Sequence, residues 1–524
     1  MIKFNNLDKA PSYAALKAVE PADLRKELTV ERIQKSSIPI GGGLTFNFAC
    51  RSFTETTLTL LQKLADEQQL IEKYKMLLSG EVMNTGEKRR VMHQLTRGEC
   101  LGPVEADGRD LGRFYREQLE RIAAFADKVH KGEITGSTGK PFEKVVQIGI
   151  GGSDLGPRAL CLALETAAAA DGTLKLKTGF ISNVDPDDAA AVLNGLNFET
   201  TLFILVSKSG TTQETLANRA LVLKRMADAA IPGLNPSKHM VAVTSATSPL
   251  AQSDEYLDSF YIDDYIGGRY SSTSAVGAVI LTLAFGSKTF NELLAGAHEA
   301  DLSALTPEIA GNAALTDALL GVFERMHGFS STAVLPYSQA LVRFPAHLQQ
   351  LDMESNGKSV NRFGEPVSYP TGPVLFGEPG TNGQHSFYQL LHQGTDTVPL
   401  QFIGFSENQG GLDLSIDGST NQRKLNANLA AQITAFALGK DDDNPNKRFA
   451  GNRYSSLIYG RRLTPRALGA LLAHFENKVM FQGFLWNLNS FDQEGVQLGK
   501  VLTKKVLGND MSPELAAFDA LLNG

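Results

Sequence analysis

The sequence has little cysteine, and what it has is not spaced for a structural role. Cys50, Cys100 and Cys161 are the three cysteines in 524 residues, and no two of them form a C-x-x-C pair. An odd and scattered set argues against a disulfide framework and against a cysteine-based zinc site, and it is typical of a reducing compartment. We therefore expect a cytoplasmic protein.

Long hydrophobic runs, a leader and a basic segment are also missing. No apolar run approaches the ~18 residues of a membrane span, and the first residues lack the apolar stretch of a secretory signal. The net charge is −7, without a long basic run, so we expect neither a membrane nor a nucleic acid as partner. An anionic substrate would need a locally basic cleft in this acidic protein.

Several catalytic signatures are absent. The nine histidines are scattered and form no H-E-x-x-H motif, so we expect no metal site. There is no G-x-S-x-G nucleophile elbow and no G-x-x-x-x-G-K-[ST] loop for ATP. What the chain does have is an ordinary globular composition, 42% apolar and 20% charged, and a length sufficient for two or three domains.

Short apolar segments alternate with helical patterns along most of the chain, which predicts an α/β fold with parallel sheets covered on both faces. The predicted strands are 145–150, 178–184, 202–206, 240–244 and 260–262, then 333–335, 373–376 and 400–405. Long helical stretches are predicted at 285–327 and 423–440. We divide the chain into a helical N-terminal arm (1–45), a smaller domain (120–285), a larger domain (46–119 with 286–500) and a helical tail (501–524) that packs on another subunit or on the body.

The most informative segment follows the predicted strand 202–206. It is rich in hydroxyl groups and includes Ser207, Lys208, Ser209 and Thr212. A helical pattern begins directly after it, and the N-terminus of a helix offers free backbone N–H groups and a positive dipole. This turn predicts a phosphate site for a small metabolite.

A glycine-rich turn follows the first predicted strand. Gly152 and Ser153 lie where a ligand could approach the backbone closely. The rival interpretation is a dinucleotide site, but G-x-G-x-x-G requires glycine where Asp154 stands. A tight turn without any ligand remains an alternative for this motif taken alone.

Four further residues could carry chemistry. Arg269 follows two glycines and suits a phosphate or enediolate oxygen, its alternative being an ion pair with Asp263 or Asp264. Glu354 precedes a polar Asn-Gly turn and could be a general base, although most glutamates are surface charges. His385 follows a polar glycine turn and could be a structural histidine. Lys500 closes an apolar segment and could be either a surface lysine or a partly buried one.

A nearby histidine gives a contrast to His385. His392, seven residues later, is interpreted as a packed or hydrogen-bonded histidine.

Taken together and in order, these motifs resemble the glucose-6-phosphate isomerase (phosphoglucose isomerase) family from about residue 145 to 500. The Gly-Gly-Arg-Tyr-Ser segment ending at Ser271 and the Phe-Asp-Gln-x-Gly-Val-x-Leu-Gly-Lys segment ending at Lys500 are close to diagnostic. The Ser-Lys-Ser-Gly-Thr-Thr segment is less specific, because sugar-isomerase domains in general carry a similar turn.

The resemblance implies two sugar-isomerase-type three-layer α/β/α domains, a homodimer, a sugar phosphate substrate and no cofactor. It implies reversible isomerisation of glucose 6-phosphate and fructose 6-phosphate through ring opening and a cis-enediolate. His385 would serve the active site of the partner subunit. By motif match, the catalytic residues are Arg269, Glu354, His385 and Lys500, and the substrate-binding residues are Gly152, Ser153, Ser207, Lys208, Ser209, Thr212 and Gln493.

The chain departs from the family pattern in three places. Members often read Asn-x-Thr-Glu-x-Arg early in the chain, where this sequence reads Asn84-Thr-Gly-Glu-Lys-Arg89, so no role is transferred there. Gln497 stands where glutamate is common, which removes a charge near Lys500. Glu494 stands where an aromatic residue is frequent.

Two other functions remain open from sequence. A different sugar-phosphate isomerase of the same superfamily would share most of these motifs. A non-catalytic sugar-phosphate-binding regulator could keep the turn at 207–212 but would not need Glu354, His385 and Lys500. Such regulators usually carry a basic DNA-recognition helix, and none is found.

Overall fold

A computed structural model describes residues 2–523, and its smaller sheet has five strands, all parallel. In spatial order they are Ser259–Ile262, Met240–Ser245, Thr201–Val206, Lys144–Ile148 and Lys177–Ile181. The central strand is buried along its whole length. Its Phe203 joins the apolar cluster that holds the helix Gln213–Asp228, whereas Ile204 joins the cluster that holds Ala275–Phe285. Helices therefore cover both faces, as the continuous apolar runs predict.

The larger sheet has six strands and is mixed. Their spatial order is Ser37–Gly41, Leu44–Asn47, Ser455–Gly460, Leu400–Phe405, Ser331–Pro336 and Val374–Phe376. The first three pair antiparallel and the others parallel. Phe402 packs with the helix Asn421–Leu438, and its neighbour Ile403 with the helix Pro465–Leu485. This sheet is also the middle of three layers, and the predicted α/β class with parallel-rich sheets is confirmed.

One continuous apolar core joins the two sheets, because Leu202 of the first and Ile403 of the second belong to the same buried cluster. The helices of the smaller-sheet half are Leu111–His130, Leu155–Ala170, Pro186–Leu193, Gln213–Asp228 and Ala275–Phe285. Those around the larger sheet are Glu55–Glu67, Leu70–Leu78, Ser287–Ser303, Ala313–Met326, Phe344–Gln349, Tyr388–Gln393, Asn421–Leu438 and Pro465–Leu485. The domain boundaries stay a prediction.

Every strand predicted from the sequence is present, with ends shifted by a few residues, but three strands of the larger sheet were not predicted. Ser37–Gly41 and Leu44–Asn47 form a hairpin in a region read as helical pieces before a glycine turn. The helices Tyr13–Ala18, Leu24–Glu27 and Val30–Lys35 are there, yet the glycines join two strands. Gly42 has φ +60, and a Cβ on it would lie 2.6 Å from the Arg466 carbonyl oxygen, so the turn tolerates no side chain.

The C-terminal tail is helical, as predicted, and its described part ends at residue 523. The helices Gln497–Leu507 and Pro513–Asn523 bury no residue. Among their exposed apolar side chains are Leu507, Phe518, Leu521 and Leu522. The described tail therefore buries no side chain against the body, and its packing on another subunit stays a prediction.

Candidate active site

Three of the motif segments meet at the carboxyl edge of the five-stranded sheet. The strands Lys144–Ile148, Thr201–Val206 and Ser259–Ile262 end there, and the turns that follow them contain Gly152, Ser207 and Arg269. In open parallel sheets, ligands bind beyond the carboxyl ends of the strands. The topology therefore gathers residues that are more than a hundred positions apart in the chain.

The hydroxyl-rich turn has the geometry of an anion cradle. Gly210 has φ +70, which reverses the chain between the strand and the helix. The Ser207 and Thr212 hydroxyl oxygens are 3.0 Å apart, and Ser209 Oγ accepts the Thr211 N–H at 3.2 Å. Thr212 makes no side-chain capping bond to the helix Gln213–Asp228, so the N-terminal N–H groups of that helix remain available to a ligand.

Two cations stand beside this cradle and share one carboxylate. Lys208 Nζ lies 3.8 Å from Asp264 Oδ1, and Arg89 Nη2 lies 3.6 Å from Asp264 Oδ2. Lys208 Nζ also lies 3.4 Å from the Ile266 carbonyl oxygen. Burial lowers the pKa of Lys208, and Asp264 opposes that shift. The carboxyl edge of this sheet thus carries the local positive charge that an anionic substrate requires, although the protein as a whole is acidic.

Gly152 is placed where a larger residue could not fit. A Cβ at this position would lie 2.1 Å from the Gly268 carbonyl carbon. The loops after two separate strands therefore touch backbone to backbone, and Ser271 Oγ hydrogen-bonds the Gly268 carbonyl at 2.7 Å. Ser153, next to Gly152, is partly exposed. Close packing of these two loops therefore requires glycine at position 152, and a ligand that approached this backbone closely would require it as well.

Arg269 and Glu354 form an ion pair at the edge of a cleft. Arg269 Nη1 lies 3.1 Å from Glu354 Oε2 and 3.3 Å from Gln493 Oε1. The arginine side chain is 1% exposed and the glutamate side chain 21%. A buried, permanently charged guanidinium is thereby held against a carboxylate that solvent and small molecules can reach.

The remaining donors of Arg269 are taken up by the protein. Nε donates to Ser355 Oγ at 2.7 Å, and Nη2 donates to the carbonyls of Ser490 and Asp492 at 2.7 and 2.9 Å. The alternative pairing with Asp263 or Asp264 is wrong. Asp263 instead accepts the Tyr115 hydroxyl at 2.8 Å, and burial raises its pKa.

Glu354 ends an unusual helical turn. The segment Gln350–Glu354 is π-helical and directly continues the helix Phe344–Gln349. Such wide turns often occur at functional sites because they change the direction in which a side chain projects. Glu354, Gln350, Lys358 and Gln493 line a cleft of ≈ 570 Å³, a volume suited to a small metabolite.

Two of the predicted catalytic residues lie outside this contact network. His385 and Lys500 are both exposed, and Lys500 is not the partly buried lysine that one interpretation required. Trp486, near it in sequence, is fully buried. His392 is packed as predicted: its ring stacks on Phe436 at 3.7 Å, and Nε2 lies 2.9 Å from Gln432 Oε1.

Some residues of the site were quoted in motifs but given no role. Lys358 is ion-paired with Asp492 at the cleft, and both stand inside the motifs that carry Glu354 and Gln493. The divergent segment 84–89 forms a hairpin, Val82–Asn84 with Arg89–Arg90, that touches the same region. Asn84 Nδ2 donates to the Phe491 carbonyl at 3.2 Å. Glu494 and Gln497 are exposed.

Among residues 2–523, no group of three or more histidine, cysteine or acidic side chains is arranged to hold a metal ion. Nor is any helix there both long enough and apolar enough to cross a membrane.

Comparisons with known proteins agree on one family. The family profile described as phosphoglucose isomerase matches residues 47–524. The chain is 60% identical to the glucose-6-phosphate isomerase of Treponema denticola, with 99% of this chain and 100% of the relative covered. It is 47% identical to that of Borreliella burgdorferi, with 97% of each chain covered. A crystal structure of a glucose-6-phosphate isomerase from Chlamydia trachomatis is similar at a TM-score of 0.91, with 43% identity and 99% of each chain covered.

Proposed function

The chain belongs to the phosphoglucose isomerase family, and we propose that Glu354 and Arg269 perform the chemistry of that family within it. The activity is the reversible aldose–ketose isomerisation of glucose 6-phosphate and fructose 6-phosphate, a step of glycolysis and gluconeogenesis. The observation that carries the residue assignment is the Arg269–Glu354 pair, 3.1 Å apart at the edge of the cleft.

The phosphate group binds at the turn 207–212. Ser207, Ser209 and Thr212 supply hydroxyl groups, the helix N-terminus supplies backbone N–H groups, and Lys208 supplies charge. Gly152, Ser153 and Gln493 line the sugar. Binding energy from the remote phosphate aligns C1 and C2 with the catalytic groups, which favours the reaction over simple binding.

Proton transfer follows ring opening. His385 and Lys500 exchange protons with the anomeric hydroxyl and the ring oxygen, so the sugar opens. Glu354 then removes the C2 proton as general base and returns it at C1, while the hydroxyl proton passes from O2 to O1. Together these transfers convert the aldose to the ketose through a cis-enediolate. Arg269 is a fixed positive charge beside Glu354 and stabilises the negative charge that develops on the enediolate oxygens.

The functional unit is a homodimer in the cytoplasm. His385 lies on the surface of the subunit, whereas a ring-opening residue must contact the sugar. Exposed apolar side chains on the two C-terminal helices, including Leu498 and Leu522, support contact with a second copy. In that dimer, His385 of each subunit completes the site of the other.

The first experiment is conversion of fructose 6-phosphate to glucose 6-phosphate by the purified protein with EDTA present, read by a coupled dehydrogenase. Rapid turnover is expected. A folded protein that binds sugar phosphate without turnover would favour a regulator, and turnover of only another phosphosugar would favour a different isomerase.

The shared site is tested by complementation. Glu354→Gln and His385→Ala proteins, each inactive alone, are mixed, unfolded and refolded together. If His385 acts across the interface, random pairing of the two variants leaves about a quarter of all sites with both residues intact. If both residues act within one subunit, every site in the mixture keeps one lesion and activity stays at the level of the separate variants.

A further inference from the structure

Lys358 and Asp492 form an ion pair that ties the glutamate segment to the segment bearing Gln493. Lys358 Nζ contacts Asp492 Oδ1, and it also donates to the Asp492 carbonyl at 3.1 Å. Both side chains are mostly buried, at 16% and 15% exposed. Lys358 stands four residues after Glu354, so the pair acts close to the carboxylate without replacing it.

The carbonyl of Asp492 is shared between two cations. Arg269 Nη2 donates to it at 2.9 Å, and Lys358 Nζ donates to it at 3.1 Å. Arg269 therefore has its Nη1 on Glu354 and its Nη2 on the segment that Lys358 holds. The geometry forms a closed ring of contacts from Glu354 through Arg269 and Asp492 to Lys358 and back along the chain.

The hairpin at 84–89 is a third segment that contacts the Asp492 carboxylate, both directly and through Asn489. Asn489 Nδ2 donates to Asp492 Oδ2 at 2.6 Å and to Asn84 Oδ1 at 3.0 Å. Gly86 allows this approach, because a Cβ there would lie 3.0 Å from Asp492 Oδ2. The hairpin that departs from the family pattern at 84–89 thus packs on Asp492 through Gly86, while its Arg89 pairs with Asp264 beside the phosphate cradle.

We propose that Lys358 and Asp492 are a positioning pair that sets how Arg269 meets Glu354. With the pair intact, Nη2 is held by two main-chain carbonyls, and only Nη1 is directed at the carboxylate. Without it, the segment 489–493 relaxes and the guanidinium turns to face both oxygens of Glu354. A bidentate pair of that kind is stronger, so the carboxylate becomes a weaker base and the enediolate loses its counter-charge. This inference rests on the proposed roles of Glu354 and Arg269.

The test compares Lys358→Met, Asp492→Asn and their double variant in the full-length protein, with Lys358→Arg as the conservative change. Lys63→Met, an exposed lysine remote from these contacts, is the matched control. The readouts are kcat, KM, the pH dependence of kcat and the thermal unfolding midpoint.

We expect kcat to fall about tenfold or more in each single variant, with KM within about twofold, because the positioning of reacting groups is altered and phosphate binding is not. The double variant should be no worse than the worse single variant. Lys358→Arg should recover most of the activity. The acidic limb of the kcat profile should move to lower pH, since a tighter Arg269 contact favours the ionised glutamate.

A merely structural role would lower the unfolding midpoint and leave the pH profile of the remaining activity unchanged, which would overturn the proposal. Wild-type kcat in both single variants would also overturn it. If Lys358→Met does not fold, Asp492→Asn and Lys358→Arg still decide the matter through their pH profiles. Failure of the catalytic assignment is separate: it appears as activity retained by Glu354→Gln, whatever the Lys358 variants do.

Discussion

Arg269 Nη1 and Glu354 Oε2 are 3.1 Å apart, although 85 residues separate them in the chain. The π-helical turn Gln350–Glu354 directs the carboxylate towards a guanidinium that the loop after Ser259–Ile262 supplies. The proposed base and the proposed electrostatic stabiliser are thus in direct contact within one subunit. Preorganisation of this kind means that little rearrangement is needed during the reaction.

Glu354→Gln should abolish most turnover and leave sugar-phosphate affinity nearly unchanged. The amide keeps the size of the side chain but cannot accept the C2 proton, so we expect kcat to fall by about 10²–10⁴-fold. Affinity for an inert polyol phosphate, measured by titration calorimetry, should change less than about twofold. Glu494→Gln, which changes an exposed carboxylate next to Gln493 in the chain, is the control. Activity near wild type in Glu354→Gln would remove this residue as the base.

Lys208→Ala should act on binding more than on chemistry. The Lys208 side chain is 34% exposed beside the cradle, and a charge-assisted hydrogen bond lost there costs ~1.5–3 kcal/mol. We expect KM for fructose 6-phosphate to rise about tenfold or more, with kcat within a few-fold. Lys224 is an exposed lysine in the C-terminal part of the helix Gln213–Asp228. Lys224→Ala should therefore leave both KM and kcat unchanged. An unaltered KM in Lys208→Ala would contradict the cradle assignment.

Asp264→Asn should tighten phosphate binding. Asp264 is 57% exposed and holds both Lys208 and Arg89, so it competes with a phosphate dianion for the same cations. Because exposed ion pairs are weak, we expect only a modest fall in KM and in the inhibition constant of inorganic phosphate, about two- to fivefold. Asp254→Asn, an exposed change of equal charge, controls for net charge. The difference between the two variants should shrink at high salt; weaker phosphate binding would refute the competition.

Gly152→Ala should damage the site through packing alone. The added methyl would stand 2.1 Å from the Gly268 carbonyl carbon, and backbone cannot yield as a flexible side chain can. Overpacking of this kind typically costs ~1–3 kcal/mol, which the urea midpoint should report together with lost activity. At Gly495 an added Cβ meets nothing within 4 Å, so Gly495→Ala is the matched control. Equal stability of the two variants would show that the loops are not in backbone contact.

Lys73→Met should stabilise the protein most at low and neutral pH. Burial lowers the pKa of Lys73 from 10.5 to about 7 in the folded protein. Between these values the unfolded chain binds more protons, so the contribution of Lys73 to stability rises as pH increases from about 7 to 10. Over that window the contribution changes by on the order of 4 kcal/mol.

The measurement is the difference in unfolding free energy between Lys73→Met and wild type, from urea titrations at several pH values. The advantage of the variant should be greatest below pH 7 and should decline towards pH 10. Lys63→Met, an exposed substitution of the same type, should show no such trend. A constant difference across the range would mean that Lys73 titrates normally in the folded state.

The sequence predicted the strands best where burial is complete. The segment Thr201–Val206 is buried at every position, and such a run can be recognised without its partners. Ser37–Gly41 and Leu44–Asn47 were not predicted because they flank a glycine turn and many of their positions are polar or small. Only Ser37–Gly41 is an edge strand, since Leu44–Asn47 pairs on both sides. Ser455–Gly460 was missed although it pairs on both sides, since its strand character depends on neighbours distant in the chain.

The sequence by itself determined the fold class, the family and the identity of the chemical groups, because buried periodicity and short motifs are local properties of the chain. It did not determine which groups touch. That Arg269 pairs with Glu354 and not with Asp263, that Lys358 reaches Asp492, and that His385 and Lys500 lie on the surface depend on contacts between segments separated by up to a few hundred residues. Such contacts form only when the carboxyl ends of the strands are brought to one edge by the packing of both sheets on a common core, so only the tertiary structure could decide them.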